Sequence, residues 1–341
     1  MKLNSFRVLA SVLISASVIA TAPASLAAET TVMKLSHQFP SSTGPDGDFR
    51  DQLAQRFAAE VEQKTGGSLK IEIYSGSSLM KTKSQFSALR KGTLDLSVLP
   101  LAYGGGEVPE VTITLMPALV RSYEQGLRWK TAPIGQELEK ILEAKGMKIL
   151  TWVWQAGGIA SRGEPVIKPA DMKGLKVRGG DRSMDLLING AGGAATNLPS
   201  SEIYSAMSTG VLDAALTSST SLISYRLNEV AKAVTTARGK TFWFMFEPLL
   251  ISMDAWNRLT PEQQKVVTEV GASLESFAME GAKRDDQRLA EVYAASGDKV
   301  VDMDDATFEE WVAIAMETSY KHFEENVKNG KALMDMARSV K

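Results

Sequence analysis

The sequence predicts an α/β protein of two lobes. Strand and helix patterns alternate along the chain, its 341 residues exceed one ordinary domain, and one helix–glycine–strand junction occurs twice. Taken alone, the alternation predicts layered lobes with mostly parallel sheets.

The first 28 residues stand apart from this pattern. Lys2 and Arg7 form a positive start, and Val8 to Ala20 is an apolar run of thirteen residues. That run is too short to span a bilayer as a mature helix. Ala24-Ser25-Leu26-Ala27-Ala28 supplies the small residues of a signal-peptidase site, with cleavage expected after Ala27 or Ala28. A retained anchor would want stop-transfer residues, which do not follow. With no cysteine in the chain there is no lipid attachment point, no disulfide and no thiolate metal ligand. An exported chain of about 310 residues is long enough to be stable without such staples, burying about three quarters of its unfolded surface. The formal charge of −2 becomes more negative by two when Lys2 and Arg7 leave. Scattered charges of that balance make a poor binder of nucleic acid or of a membrane surface. No later segment reads as transmembrane.

Met33 to Ser36 reads as the first strand. Phe49, Leu53, Phe57 and Val61 recur every four residues, the buried stripe of a helix that Gly66 and Gly67 stop. Leu69, Ile71 and Ile73 alternate as a strand. A second helix holds Phe86 and Leu89 and ends at Gly92, before a strand from Leu94 to Leu99. One helix is expected from about Tyr123 to Ala144, then a strand from Lys148 to Trp154. Further on, Thr260-Pro261-Glu262-Gln263 combines an N-cap, a first-turn proline and a capping box. The helix it starts has apolar positions towards Gly297, about 54 Å if unbroken, with Gly271 and Gly281 as candidate interruptions. A last helix lies within Phe308 to Ala337.

The repeated junction is Ser87-Ala88-Leu89-x-x-Gly92-x-Leu94-Asp95, matched by Ser205-Ala206-Met207-x-x-Gly210-x-Leu212-Asp213. Each reads as a helix end, a glycine cap and a buried strand. Two lobes of similar design would face each other across a cleft, with the residues just past the echoed strands on opposite walls.

The most informative stretch is Asp171-Met172-Lys173-Gly174-Leu175-Lys176-Val177-Arg178, followed by Gly179 and Gly180. A turn feeds a short alternating strand that ends on arginine. Such a strand aims a guanidinium off the sheet edge, where open α/β sheets bind ligands. Its planar fork matches a carboxylate. On pattern alone, a surface arginine paired with an acid is the simpler reading of the octet.

The octet closely resembles the signature of the periplasmic solute-binding proteins of TRAP transporters, the DctP family. The likeness covers essentially the whole mature chain, with the His37 region, the Gly92–Asp95 junction, the octet and the Gly210–Asp213 junction in family order. The resemblance implies a type II-like periplasmic binding protein fold: two lobes of mixed sheets flanked by helices, braced by a long hinge-spanning helix. Lobe I would comprise residues 29–154 and 243–282, and lobe II residues 155–242 and 283–341. It also implies a periplasmic location, a small organic-acid ligand, a membrane permease as partner and no covalent chemistry; no cofactor and no metal-ligating residue is assigned, and whether a metal ion bridges the ligand stays open at this level.

Under that resemblance Arg178 anchors the ligand carboxylate. Thr217 falls nearest a family position that touches the carboxylate end, and Thr217 and Ser218 serve either there or in an ordinary polar loop. Gln38, beside His37, lies close to another ligand-contacting position. Members that bind sialic acid carry an acid and an arginine near Pro100 and Tyr103, and a second arginine where this chain has Gly158; these departures argue against such a sugar. Aromatic residues suggest walls for a ring-bearing or apolar acid instead, Tyr103 and Trp154 first among them, although most aromatic clusters are core. Glu247 interrupts the apolar run Phe242 to Ile251. It either faces the cleft, accepting a ligand hydroxyl or a cation, or pairs with a structural lysine.

Two rival readings remain at this level: a secreted hydrolase or lyase using Glu247 or Asp95 as acid or base, and a binding protein for an amino acid or ring-free sugar. The catalytic templates fail. Only His37 and His322 are present, and neither HExxH nor GxSxG occurs. Gly190 to Ala195 mimics a dinucleotide loop but follows a helical stretch instead of a strand.

Overall fold

The structure is a computed structural model and describes residues 30–341. The expected export signal lies outside the described residues. Twelve strands form two sheets: β1 (Thr31–Ser36), β2 (Leu69–Tyr74), β3 (Leu96–Val98), β4 (Met147–Thr151), β5 (Trp154–Ser161), β6 (Lys176–Arg178), β7 (Ala194–Thr196), β8 (Ala214–Ser218), β9 (Ala233–Thr235), β10 (Phe244–Phe246), β11 (Leu249–Ser252) and β12 (Lys299–Val301). The first sheet runs β2-β1-β3-β11-β4, and the second β12-β9-β5-β8-β6-β7 with β10 beside β5.

The sheets are mixed, where alternation alone predicted mostly parallel ones. Strand β1 pairs parallel with β2 and β3, and β6 with β7 and β8. Strand β11 runs antiparallel to both β3 and β4, and β5 antiparallel to β8, β9 and β10. The cause is the connection between sheets. The chain leaves the first sheet between Thr151 and Trp154 and returns between Phe246 and Leu249. A strand that comes from, or goes back to, the other sheet has no local crossover helix to force it parallel. For the same reason the strand expected over Lys148 to Trp154 divides into β4 and β5.

Both echoed junctions fold alike. Gly92 (φ 68°) and Gly210 (φ 78°) take left-handed conformations at the ends of their helices. Asp95 then accepts the backbone N–H of Lys34 in β1, and Asp213 accepts that of Lys176 in β6, each at 2.8 Å. The repeated aspartate is therefore a strand clamp. Asp95 is also paired with Arg258, a structural post that corrects its reading as a candidate acid or base.

Helix Phe49–Lys64 buries Phe49, Leu53, Phe57 and Val61 as expected, with Asp48 capping its start. The single helix expected from Tyr123 to Ala144 is two, Tyr123–Trp129 and Pro133–Ala144, because Pro133 lacks the N–H needed to continue and begins the second. In the final helical region Asp305–Ala315 runs on through a π-helical stretch, Met316–Tyr320, into Lys321–Asn326, and Gly330–Arg338 follows as a separate helix after extended Val327.

The long helix forms with its capping box, Thr260 against Gln263, and bends at Leu274 between Pro261–Ser273 and Glu275–Ala295. Its glycines are points of close approach within the helix, not its interruptions. A Cβ on Gly271 would stand 2.5 Å from the Leu150 carbonyl of β4, and one on Gly281 would stand 2.8 Å from Phe49. Farther along, Leu289 and Tyr293 join the apolar cluster of Ile203, Met207 and Val234. The helix thus touches the first sheet at one end and the core beside the second at the other. Midway, Asp286 accepts the Tyr123 hydroxyl at 2.6 Å, and that hydroxyl accepts the Ala156 N–H of β5 at 3.2 Å.

Candidate ligand-binding site

The octet folds as its residues dictate. Asp171 accepts the N–H groups of Ile167 and Lys168, and Gly174 turns at φ 78°. Strand β6 then delivers Arg178, whose side chain is almost wholly buried at 1% exposure. Its Nε donates to the Leu198 carbonyl at 2.9 Å, its Nη1 to the Leu216 carbonyl at 2.7 Å, and its Nη2 to the Tyr103 hydroxyl at 2.7 Å. Three of five guanidinium N–H groups are thereby used, leaving one on each terminal nitrogen. No carboxylate of the described residues lies within 4.0 Å of it. A Cβ at Gly180 (φ 107°) would stand 3.1 Å from the guanidinium, so glycine there lets the side chain lie over the turn. A groove of about 450 Å³, lined by Lys83, Tyr103, Gly180, Asp181, Arg182 and Asn197, adjoins it.

Tyr103 reaches Arg178 from the first-sheet side, following β3. Its hydroxyl also accepts the Ser200 N–H at 3.1 Å. Asp181 caps helix Arg182–Gly190 through one oxygen while its other carboxylate oxygen is buried without a partner. Burial pushes its carboxyl up to about 8.

A second polar centre lies within reach of Arg178's charge. Arg50, fully buried, donates Nε and Nη2 to the two oxygens of Asp48 at 2.8 and 2.6 Å. Its Nη1 reaches Glu247 at 3.2 Å, Ser218 at 3.2 Å and Ser221 at 3.0 Å. The guanidinium stacks 3.7 Å from the Phe39 ring centre. Burial works against its charge, but Asp48 and Glu247 more than offset this and hold it above the ordinary arginine range. Glu247 also accepts the Gln155 amide. Burial pushes the Glu247 carboxyl up to about 7, against the pull of Arg50 and, more weakly, Arg178. Glu247 Oε1, Gln155 Oε1 and both polar atoms of the Gln38 side chain are buried without partners. Gln38 is held through its carbonyl, which accepts the Tyr225 hydroxyl at 3.0 Å.

Four of the expected site residues therefore gather at these two guanidiniums: Arg178 and Tyr103 bonded to each other, and Ser218 and Glu247 bonded to Arg50; Gln38 is bonded to neither. Thr217 lies in β8 opposite Gly158. Trp154 sits elsewhere in the packing, with ring centres 5.1 Å from both Trp129 and Phe246. Its partners are those of a core aromatic, and Trp152 packs on the same Phe246. The partner of Glu247 is an arginine where a lysine was expected. His37 lies 3.1 Å from Asp51 and stacks on Phe39.

Arg50, Asp48, Gln155, Ser221 and Tyr225 were not foreseen. Arg50 stands on the flank of the stripe Leu53, Ala54 and Phe57, a position where the sequence gives a charge no sign of burial. Gln155 gives no signal either, because its meeting with Glu247 depends on the β5–β10 register (Gln155 opposite Met245).

The fold and this inward-facing cationic site define a solute-binding receptor, and comparison with known proteins agrees. Residues 41–326 match the model of the bacterial extracellular solute-binding protein family 7, DctP. A solute-binding protein of Albidiferax ferrireducens is 55% identical over 304 residues, spanning 89% of this chain and 90% of that one. The C4-dicarboxylate-binding periplasmic protein DctP of Rhodobacter capsulatus is 26% identical, over 79% of each chain. The crystal structure of a TRAP periplasmic solute-binding protein from Rhodoferax ferrireducens with bound malonate superposes with a TM-score of 0.89 at 52% identity, covering 90% of this chain and 98% of that one. The chain belongs to the extracellular solute-binding protein family 7 of TRAP transport systems, a family of substrate-binding receptors. Among the described residues no helix is long and apolar enough to cross a membrane.

Proposed function

We propose that the chain is the periplasmic substrate-binding component of a TRAP-type importer, that it captures a small organic acid between two lobes, and that Arg178 holds the carboxylate. The observation that carries this reading is the Arg178 guanidinium itself. It is buried, fixed by two carbonyls and a phenol, and lacks a carboxylate partner among the described residues. A buried unpaired charge is costly, and an anionic ligand relieves that cost. The malonate bound by the Rhodoferax relative supports the same chemistry.

In this reading residues 1–28 direct export and are removed. The lobes divide where the chain passes between sheets, between Thr151 and Trp154 and between Phe246 and Leu249, so the second boundary falls a few residues after the expected 242/243 because β10 pairs with β5; the long helix braces both lobes and residues 283–341 belong to the second. Ligand favours the closed arrangement by touching both sides, and that arrangement is presented to the membrane permease. No bond of the ligand is made or broken. Asp95 is engaged structurally, and Glu247 is bonded to Arg50 and Gln155.

Calorimetry of the mature chain against small carboxylates tests the proposal. Micromolar or tighter binding of at least one acid, lost in Arg178→Ala, is expected. Binding unchanged in Arg178→Ala would overturn the anchor, and turnover of a bound acid would overturn the receptor reading.

A further inference from the structure

We infer that Lys83 is a latch on the closed arrangement: its bond to Asn197 joins the two sides across the groove beside Arg178 and slows the release of captured ligand. This role is distinct from ligand contact, and it rests on the two-lobed capture proposed above.

The segment from Asn197 to Ser200 follows β7 on the second-sheet side, and it is gripped at three points within four residues. Lys83, in helix Thr82–Arg90 on the first-sheet side, donates its ammonium to the Asn197 carbonyl and to Asn197 Oδ1, each at 3.1 Å. The Leu198 carbonyl orients Arg178. The Ser200 N–H reaches Tyr103, again from the first-sheet side. The carbonyl that orients the anchor therefore lies between two bonds from the opposite side. The Asn197 amide is itself positioned, because its Nδ2 donates to Asp185 Oδ2 at 3.1 Å and so turns its oxygen to the ammonium. The charge of Lys83 extends to that acid. Burial pushes the Asp185 carboxyl up, and Asn197, Arg178, Arg182 and Lys83 pull it back. Lys83 and Asn197 both line the groove of about 450 Å³ that adjoins Arg178.

The contact has the properties of a latch. Lys83 and Asn197 are 114 residues apart and share no element, so their bond exists only while the two sides are together. The bonds of Arg284 and Arg288 to the carbonyls of Pro45 and Asp46 differ, since they start from the long helix that already touches both sides. Lys83 and Asn197 are also exposed. Water replaces their bond when it opens, so it adds little to folding stability. A contact made only in the closed form lengthens the life of that form, and its loss appears in the release rate more than in the capture rate.

Malonate and succinate serve as probes of the mature chain, with rates from stopped-flow tryptophan fluorescence and Kd from calorimetry. Lys83→Met is expected to speed release about three- to tenfold, with association changed by less than about twofold and Kd rising in step. Asn197→Ala, which takes away the amide, is expected to speed release as well. The double variant should release no faster than the quicker single one, within about 1.5-fold, because both changes break one contact. Release unchanged in Lys83→Met, or single effects that multiply in the double variant, would overturn the latch and leave the Arg178 anchor standing. A loss confined to the association rate would also overturn it, assigning Lys83 to steering of the anion. If neither acid binds, or Arg178→Ala binds both as tightly as the unmodified protein, the capture reading fails and the latch with it.

Discussion

The Tyr103 hydroxyl lies 2.7 Å from Arg178 Nη2 and 3.1 Å from the Ser200 amide nitrogen, so one phenol from the first-sheet side receives two donors from the second. It fixes the plane of the guanidinium and ties the two sides of the site together. The Leu198 and Leu216 carbonyls complete the cradle. A fork held on three sides has lost its rotamer freedom before any ligand arrives, which is how preorganisation raises affinity.

Tyr103→Phe removes the shared acceptor and leaves the ring. Affinity for a small carboxylate should fall about tenfold, equal to about 1.4 kcal/mol, with a larger radius of gyration by solution scattering in the absence of ligand. Arg178→Lys should lose about a hundredfold or more, because a point charge cannot reproduce the fork. Equal affinities for Arg178→Lys and the unmodified protein by calorimetry would mean that charge alone is recognised.

Much of this architecture can be read from the residues, and what cannot has a common cause. The Thr260–Gln263 capping box, the Gly92 and Gly210 caps and the octet turn are local, and all form as their chemistry requires. Pro133 was an available signal for the broken helix. The antiparallel placement of β5 and β11 was not legible, since it depends on pairing between segments far apart in sequence. Arg178 was legible as a strand-end guanidinium. The Arg50–Asp48–Glu247 centre was not, because a charge on a helix flank looks solvated until tertiary packing closes over it.

Arg50→Gln should be severely destabilising. It leaves the Asp48 and Glu247 carboxylates buried without their common cation, a loss of about 3–5 kcal/mol for a broken buried pair. Urea denaturation measures it. Adding Glu247→Gln to Arg50→Gln should recover part of the loss, since one of the stranded charges is then gone. A loss below about 1 kcal/mol in the single variant would show that the centre relaxes or hydrates.

Asp181 predicts the sign of a pH dependence. Its carboxyl is pushed up to about 8 by burial, from an ordinary 3.8. Between those values the folded protein holds a proton that the unfolded chain releases, so stability falls as pH rises from about 4 to about 8 and levels beyond. Glu247, at about 7, and Asp286, at about 6, slope the same way. Asp181→Asn keeps an acceptor for the Met184 N–H and cannot ionise. Its Tm should decline less across that range, with its advantage over the unmodified protein greatest above pH 8. Parallel Tm curves for the two proteins would show that Asp181 is ionised in the folded state throughout.

Gly271→Ala sets helix propensity against packing. In an isolated helix alanine would gain about 1 kcal/mol over glycine. Here the new Cβ would stand 2.5 Å from the Leu150 carbonyl and 3.2 Å from the Leu150 Cβ. The first contact is with the backbone of paired strand β4, which cannot swing aside like a side-chain tip. The helix must lift, and lifting it weakens the bond from Thr151 Oγ1 to the Gly271 carbonyl, now 2.9 Å. It also disturbs the bend at Leu274, three residues on, which sends the helix towards the second sheet. Overpacking of this kind costs about 1–3 kcal/mol, enough to cancel or exceed the propensity gain, so Tm should stay level or fall by a few °C. Gly281→Ala, whose new Cβ would stand 2.8 Å from both Cβ and Cγ of buried Phe49, the base of that side chain, should behave similarly. A rise in Tm for Gly271→Ala would mean that propensity governs this position and that the helix is not seated on β4.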